Sequence, residues 1–476
     1  MEAIQLTNKK PGSRIKFPGK KVIIIVISVL LFLAIAIFAY FRISSYTVRS
    51  QQFDENGEST NVCTNILNPD CWTEAFKPQL LQTNGTTSVL IIGVDTRSNG
   101  ALMNTDSIMI LSYNHATKKT MLTSVPRDLF SFNYHDRINT VYAYTYNRDK
   151  TDRFKYLKSE LTDMTGLPIQ YVATVKFDGV IDLVNSIGGI EVCPYVNQEF
   201  VAKYPNPKAT RTSSEQWLYY TFTQGCQTLD GEKALVYARF RHLRRGPQEL
   251  AIDYSRVRRQ QEVVNAVKDK LLGQDKSLQE KVEYWWQILQ TIDKSVTYTF
   301  TFEDFLAGMS LVNDADKTPA SVVLDPYFGG LNRYIYGTMI DGKSVAAFRG
   351  NSYTGIRNEV QGIWNNIDFY KEKPKILVLN MTGQDLAKDN PITVLKSTSK
   401  YYASFNINKV DANAKITKMM IFDFSGGKKL GSLSLIKDKL GISEISTQPE
   451  LYDIAQSSAK EDILIIVPPV ALTVTP

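Results

Sequence analysis

From Val22 to Phe41 the chain reads VIIIVISVLLFLAIAIFAYF, an apolar run unbroken by charge, proline or glycine. At ~1.5 Å per residue a helix of this length spans ~30 Å, the hydrocarbon thickness of a bilayer. A buried core helix would carry a polar stripe, and none is visible. A cleaved signal peptide would have a shorter apolar stretch, ~7–15 residues, ending at a small-residue site. The A-x-A pattern here, Ala34–Ala36, lies inside the run. The segment 22–41 is therefore expected to be an uncleaved transmembrane anchor. Lys9, Lys10, Arg14, Lys16, Lys20 and Lys21 precede it, whereas Arg42 and Arg49 follow closely. The positive-inside bias then leaves residues 1–21 as a cytoplasmic basic tail and puts the chain after Phe41 outside the cell. Most of the net charge of +7 sits in that tail. A nucleic-acid partner is not expected, because the bulk of the chain has no basic excess to meet one.

The cysteines agree with an extracytoplasmic address. Cys63, Cys71, Cys193 and Cys226 are even in number and no C-x-x-C spacing occurs, so disulfides in an oxidising compartment are expected rather than a metal site. Three connectivities exist for four cysteines. The preferred one, Cys63–Cys71 with Cys193–Cys226, keeps each pair within a local segment.

Residues 42–86 are polar and read as a stem. At Ser88 the texture changes. SVLIIGVD (88–95), SIMILSYN (107–114), TMLTSVP (120–126) and YVATVKF (171–177) read as strands, the middle two as a hairpin around HATKK. FDGVIDLVNSIGG (177–189), LDGEKALVYARFR (229–241) and DYSRVRRQQEVVNAVKDKLL (253–272) show helical spacing, and IEVCPYV (190–196) returns as a strand. An amphipathic helix is expected near Val282–Ile292. Alternating strands and helices predict an α/β fold with helices on both faces of a mixed sheet, over residues 87–370. After the charged stretch YKEKPK (370–375), the strands ILVLN, MMIFDF and DILIIVPP mark a smaller C-terminal α/β domain over 374–470. The polar segment 198–227, bracketed by Cys193 and Cys226, is expected to sit as a lid pinned at its base by a disulfide.

No G-x-S-x-G elbow, P-loop or H-E-x-x-H is present, and three histidines are too few for a His-centred hydrolase. Arginine is concentrated instead. Arg239, Arg241, Arg244, Arg245, Arg256, Arg258 and Arg259 fall between Tyr237 and Arg259. Guanidinium forks grip two oxygens at once and keep their charge, which suits phosphate or diphosphate, although a solvated basic face has the same composition. Asp95 ends the first strand, Asp106 precedes the second, and Arg127-Asp128 follows the third. Ligands of open α/β sheets gather at such strand ends. Two carboxylates there are suited to holding Mg²⁺ against a diphosphate.

Read in order, GVDTRS, TDSIMI, SVPRDLF, RINTVYAY, FDGVIDLVNSIGGIEV, LDGEKALVYARFR and DYSRVRRQQ resemble the LytR-CpsA-Psr family, densely over 88–272. VLNMTG (378–383) is similar to the opening of the LytR-type C-terminal domain that often accompanies it, with Met381 in place of a glycine. The resemblance implies a three-layer α/β/α sandwich with an apolar groove for a lipid chain. It implies a Mg²⁺-assisted phosphotransferase of the bacterial cell membrane. Such an enzyme moves a teichoic acid or polysaccharide from a polyisoprenyl (undecaprenyl-type) diphosphate carrier to a peptidoglycan hydroxyl. Position by position, Asp95 and Asp106 match the metal carboxylates, and Arg127, Arg239 and Arg241 the diphosphate clamp, with Asp95 also a candidate base. Asp253, Arg256 and Gln260 match the polar motif of the following helix, and Arg137 and Arg97 basic substrate-binding places. A lipid-diphosphate-binding regulator and a diphosphate hydrolase are the competing readings.

Overall fold

Period-two alternation in TTSVLIIGV and TDSIMILSYN dictates which side chains share a face, and the rest of the molecule is arranged around that choice. The computed structural model describes residues 79–94, 104–146, 148–149, 151–206, 209, 216–273, 277–311, 315–316, 318–326, 331–399, 403–409, 418–446 and 461–469. The basic tail, the apolar run 22–41, Cys63, Cys71, Asp95 and Arg97 lie outside the described residues. Among the described residues, no helix is long and apolar enough to cross a membrane.

Strands and helices are numbered here in chain order, β1–β19 and α1–α11. The central sheet has six strands in the order Val296–Tyr298 (β12), Tyr171–Lys176 (β6), Thr86–Val94 (β1), Thr105–Asn114 (β2), Thr120–Ser124 (β3) and Ala320–Val323 (β13). It is mixed: β1 runs parallel to β6 and β3 parallel to β13, while β1–β2, β2–β3 and β12–β6 are antiparallel. Val94 lies opposite both Lys176 and Thr105, and Ser124 opposite both Met109 and Val323. The carboxyl ends of β1, β3, β6 and β13 and the start of β2 therefore share one end of the sheet.

One face carries Leu90, Ile92, Ile108 and Ile110. They pack on Ile138–Thr145 (α1), Lys155–Thr165 (α2) and Thr354–Asn365 (α8) through Val141, Leu157, Leu161 and Val360. The other face presents Ser107 and Ser124 to Asp253–Leu272 (α5): Ser107 Oγ donates to Gln260 Oε1 at 3.1 Å, and Gln261 Nε2 donates to Ser124 Oγ at 2.8 Å. Helices thus lie on both faces, as expected. On this second face Val89, Ile91, Leu111 and Val175 are only half-buried.

The segment read as a polar lid has a core of its own. Phe200–Pro205 (β8), Trp217–Phe222 (β9) and His242–Arg245 (β11) form an antiparallel sheet in the order β11-β8-β9. Phe200 and Phe222 stack at 5.0 Å beneath it, both fully buried. Polar residues of the segment such as Gln198, Glu199, Thr223 and Gln224 lie outside the strands. Cys193 and Cys226 form the expected disulfide. The strand expected over 190–196 stops at Ile190–Val192 (β7), paired with Gln227–Leu229 (β10); Pro194, without an N–H, ends the ladder.

Two short hairpins, Phe130–Ser131 (β4) with Asp136–Arg137 (β5) and Ile335–Ile340 (β14) with Lys343–Phe348 (β15), flank the sheet. The C-terminal sheet orders Ser404–Lys409 (β17), Lys375–Asn380 (β16), Ile463–Val467 (β19) and Met420–Asp423 (β18). The described residues from Leu80 onward cluster as one compact unit. The apolar core that starts at Leu90 continues through Ile363 and Ile367 to Val378, Ile421 and Ile465.

Between Phe177–Ser186 (α3) and Gly231–Arg239 (α4) the backbones touch. A Cβ on Gly231 would sit 2.3 Å from the carbonyl oxygen of Ile181, whereas one on Gly308, in Phe302–Leu311 (α7), would meet nothing within 4 Å. Gly231→Ala is expected to cost about 1–3 kcal/mol in urea unfolding through overpacking. Gly308→Ala should be neutral or mildly stabilising. Equal midpoints for the two variants would refute the close α3–α4 approach.

Candidate functional site

Helix α4 is capped at its start by Asp230, whose carboxylate accepts from the Lys233 N–H at 2.8 Å, and it ends at Arg239. Its last carbonyls need donors, as at every helix C-terminus. A fully buried guanidinium supplies them. Arg259 of α5 donates from Nε to the carbonyl of Tyr237 (2.7 Å), from Nη2 to that of Phe240 (2.6 Å) and from Nη1 to that of Leu250 (2.7 Å). The Phe240 ring lies against the same guanidinium, 3.7 Å from ring centre to Cζ. Phe240 is thereby locked into the core, while Arg239 and Arg241 on either side of it stay half-buried.

Arg239 reaches the end of the central sheet. Its Nη2 is 3.3 Å from Asp106 Oδ2, and its Nη1 donates to the Tyr204 hydroxyl at 2.7 Å. Its Cζ lies 3.4 Å over the Phe177 ring. The other oxygen of Asp106 accepts from Arg127 Nη1 at 2.9 Å. Asp106, Arg127 and Arg239 side chains are each 18% exposed. Arg127 Nε is 3.7 Å from Asp128 Oδ2, and Asp128 Oδ1 is 3.5 Å from Arg137 Nε. Arg137 also donates to the Ser344 carbonyl from Nε and Nη2, at 3.0 and 2.8 Å. Arg256 and Gln260 occupy one buried face of α5. Arg256 adds its charge to the field at Asp106, and Gln260 takes the hydroxyl of Ser107, the next residue.

Burial pushes the Asp106 carboxyl up. The charges of Arg127, Arg239 and Arg256 and the hydrogen bond from Arg127 outweigh it, holding the group below the ordinary aspartate value. One carboxylate among three guanidiniums leaves a surplus of positive charge in a largely buried cluster, chemistry suited to a phosphate or diphosphate.

The sequence-derived set is thus brought together in part. Asp106, Arg127, Arg239 and Arg256 converge, with Gln260 and Arg137 one link away. Arg241 is half-buried at the entry to β11. Asp253 opens α5, and its side chain lies outside what is described, as do Asp95 and Arg97. The arginine-rich stretch divides. Arg244 lies over Tyr219, Arg258 over Tyr195, Arg245 pairs with Glu199, and Arg259 is a core residue. Sequence reasoning missed Tyr204 and Phe177, which hold the Arg239 fork from a distant strand and from the β6–α3 turn. An aromatic at the first position of FDG was the one visible signal.

Each Asp106 oxygen already takes one arginine contact, and Asp95, the other expected metal carboxylate, lies outside the described residues. Among the described residues, no three His, Cys, Asp or Glu gather as a self-sufficient metal cage.

Asp106→Asn is expected to lower unfolding stability by roughly 2 kcal/mol at neutral pH. Because the native carboxyl lies below its unfolded value of ~3.9, this stabilisation is complete above that value and fades as pH falls through the lowered one. Urea titrations of both proteins from pH 7 to pH ~2.5 should show the gap closing at the acid end. A pH-independent gap would contradict the ion-pair assignment.

Residues 38–353 match the LytR_cpsA_psr family. The chain is 27% identical over 223 residues to biofilm regulatory protein A of Streptococcus mutans, covering 44% of this chain and 48% of the relative, about half its length. It is 24% identical over 297 residues to the polyisoprenyl-teichoic acid–peptidoglycan teichoic acid transferase TagU of Enterococcus faecalis, covering 60% of this chain and 81% of the relative. Among solved structures, TagT bound to LIIa-WTA is 18% identical, with a TM-score of 0.40, over 58% of this chain and 90% of that one.

Proposed function

The chain belongs to the LytR_cpsA_psr family, and from that premise we propose that it is an extracytoplasmic phosphotransferase. It moves a glycopolymer from a polyisoprenyl diphosphate carrier to a peptidoglycan hydroxyl. The observation that carries this reading is the meeting of Arg127 and Arg239 on the two oxygens of Asp106 at a sheet end. A relative named as a teichoic acid transferase supports the substrate class.

In this reading Asp106 holds the two forks at a fixed separation before substrate arrives, so the guanidiniums need no reorganisation when the diphosphate binds. The acceptor oxygen attacks the phosphorus that bears the glycan. The P–O bond to the bridging oxygen breaks, and polyisoprenyl phosphate departs with that oxygen. Arg127 and Arg239 offset charge on the non-bridging oxygens and on the leaving phosphate. The Phe177 ring and Tyr204 hydroxyl keep Arg239 from rotating away. Mg²⁺, held by Asp106 and by Asp95 in the sequence expectation, would add further charge neutralisation at the phosphates. A carboxylate near the acceptor, with Asp95 the candidate, takes the hydroxyl proton.

Helices on both sheet faces support the three-layer reading. The half-buried Val89, Ile91, Leu111 and Val175 supply an apolar strip for the carrier's hydrocarbon chain. The 22–41 anchor, in the same proposal, confines the site near the outer leaflet where such a carrier presents its head group.

The test uses the full chain in detergent with a polyisoprenyl diphosphate-linked saccharide, a peptidoglycan fragment and Mg²⁺. Wild type should give the linked product. Arg127→Ala and Arg239→Ala should each lower transfer by about 10²–10³-fold. Arg239→Lys should recover little, because an ammonium lacks the planar fork. Released phosphate without linkage would favour the hydrolase, intact donor retained on the protein a binding role, and near-normal rates in both alanine variants would remove the clamp.

A further inference from the structure

The β11-β8-β9 sheet has a second, outward face. Registry puts Lys203 opposite Tyr219 and His242, and Pro205 opposite Trp217. The alternate residues Phe200, Ala202 and Phe222 are buried beneath. Lys203 Nζ lies 4.2 Å over the Trp217 ring and Arg244 Cζ lies 4.7 Å over the Tyr219 ring. His242 meets the Trp217 ring edge-on at 6.0 Å. Tyr219 remains 49% exposed. Among the described residues, neither Lys203 nor Arg244 has a carboxylate partner; the ion pair on this sheet is Arg245 with Glu199. Two aromatic rings thus lie about 7 Å apart along one strand, Tyr219 exposed and Trp217 half-buried, each with a cation beside it whose charge no carboxylate meets among the described residues.

The face joins the clamp directly. Strand β11 begins immediately after Arg241, and Tyr204, next to Lys203 on β8, holds Arg239 from the other side of the same sheet. We propose that this outward face is an exosite for an anionic glycan, the stretch of polymer that runs on beyond the diphosphate. The proposal rests on the transferase reading for which end of the donor reaches it. Trp217 and Tyr219 receive sugar rings, and Lys203 and Arg244 receive the acidic groups between them. A bilayer surface fits less well: the rings are engaged by cations at their own level, and no exposed aliphatic side chain stands proud on β8, β9 or β11.

The occupant can be tested without turnover. The full chain, reconstituted in phosphatidylcholine vesicles, is titrated with a lipid-free teichoic acid bearing N-acetylglucosamine, and in parallel with neutral dextran. The acidic polymer should bind in a salt-sensitive manner and dextran should not. Lys203→Glu, Arg244→Glu and Trp217→Ala should each weaken binding about tenfold or more. Arg239→Ala, which disables the clamp, should still bind it; transfer assays on Arg239→Ala judge the transferase reading separately. In turnover, Trp217→Ala should raise KM for a long anionic donor and leave a single-repeat donor unchanged. Three results would overturn the exosite: equal binding of dextran, loss of polymer binding in Arg239→Ala but not in the face variants, or protection of residues 217–222 from hydrogen exchange on adding phosphatidylglycerol rather than polymer.

Discussion

A buried guanidinium is costly unless every donor finds a partner, and the position of Arg259 in this chain follows from that. The side chain is fully buried, and it donates to three main-chain carbonyls from two separate segments, the end of α4 and the turn at Leu250. Burial brings its pKa down to about 10, still far above neutrality, so the charge persists. A positive group at a helix C-terminus also meets the negative end of the helix dipole. The result is a turn that cannot drift. Since Arg239 is the last residue of α4, the place where its fork meets Asp106 is fixed by a residue that itself touches no candidate ligand.

That division of labour separates the arginines into kinds that composition cannot. Arg259 is structural because its donors are spent on carbonyls. Arg127 and Arg239 spend donors on a single carboxylate that sits at a strand end. Like charges held this close would separate if Asp106 were absent or neutral; with it ionised, the forks stay convergent. Asp128 repeats the arrangement one step outward, between Arg127 and Arg137. Alternating carboxylates and guanidiniums form a line from the sheet end to the β14–β15 hairpin, and the positive excess is greatest around Asp106.

The sheet was the most legible part of the chain. Continuous apolar stretches and period-two alternation identify β1, β2, β3 and β6, and the helices at 177, 231 and 253 carry their own spacing. The β2–β3 hairpin, legible from the HATKK turn, carries Asp106 to the same end as Arg127, whereas the antiparallel pairing of β1 with β2 follows no local signal. The pairing of β8 with β9 was hidden for a different reason: the strands are short, and the polar residues on either side of them make the whole read as an insertion. Arg259 was indistinguishable in sequence from its neighbours, because a position facing the core of α5 differs from one facing solvent by a rotation about the helix axis. Tyr204 and Phe177 owe their roles to contacts across 35 and more residues, which no window on the sequence encloses.

The same strand period gives the β8–β9 pair two different faces. On β8, Tyr204 points toward the clamp and Lys203, one residue away, points outward, since successive side chains leave opposite faces of a sheet. Moving the register by one residue would exchange them, removing the hydroxyl from Arg239 and burying an ammonium against Phe222. Register is held by the buried Phe200–Phe222 pair. The disulfide between Cys193 and Cys226 adds a covalent tie at the base of the segment. Both faces of the sheet therefore depend on a small aromatic core that lies on the Tyr204 side. Substitutions in that core would act on the clamp and the outward face together, whereas substitutions on either surface act on one alone.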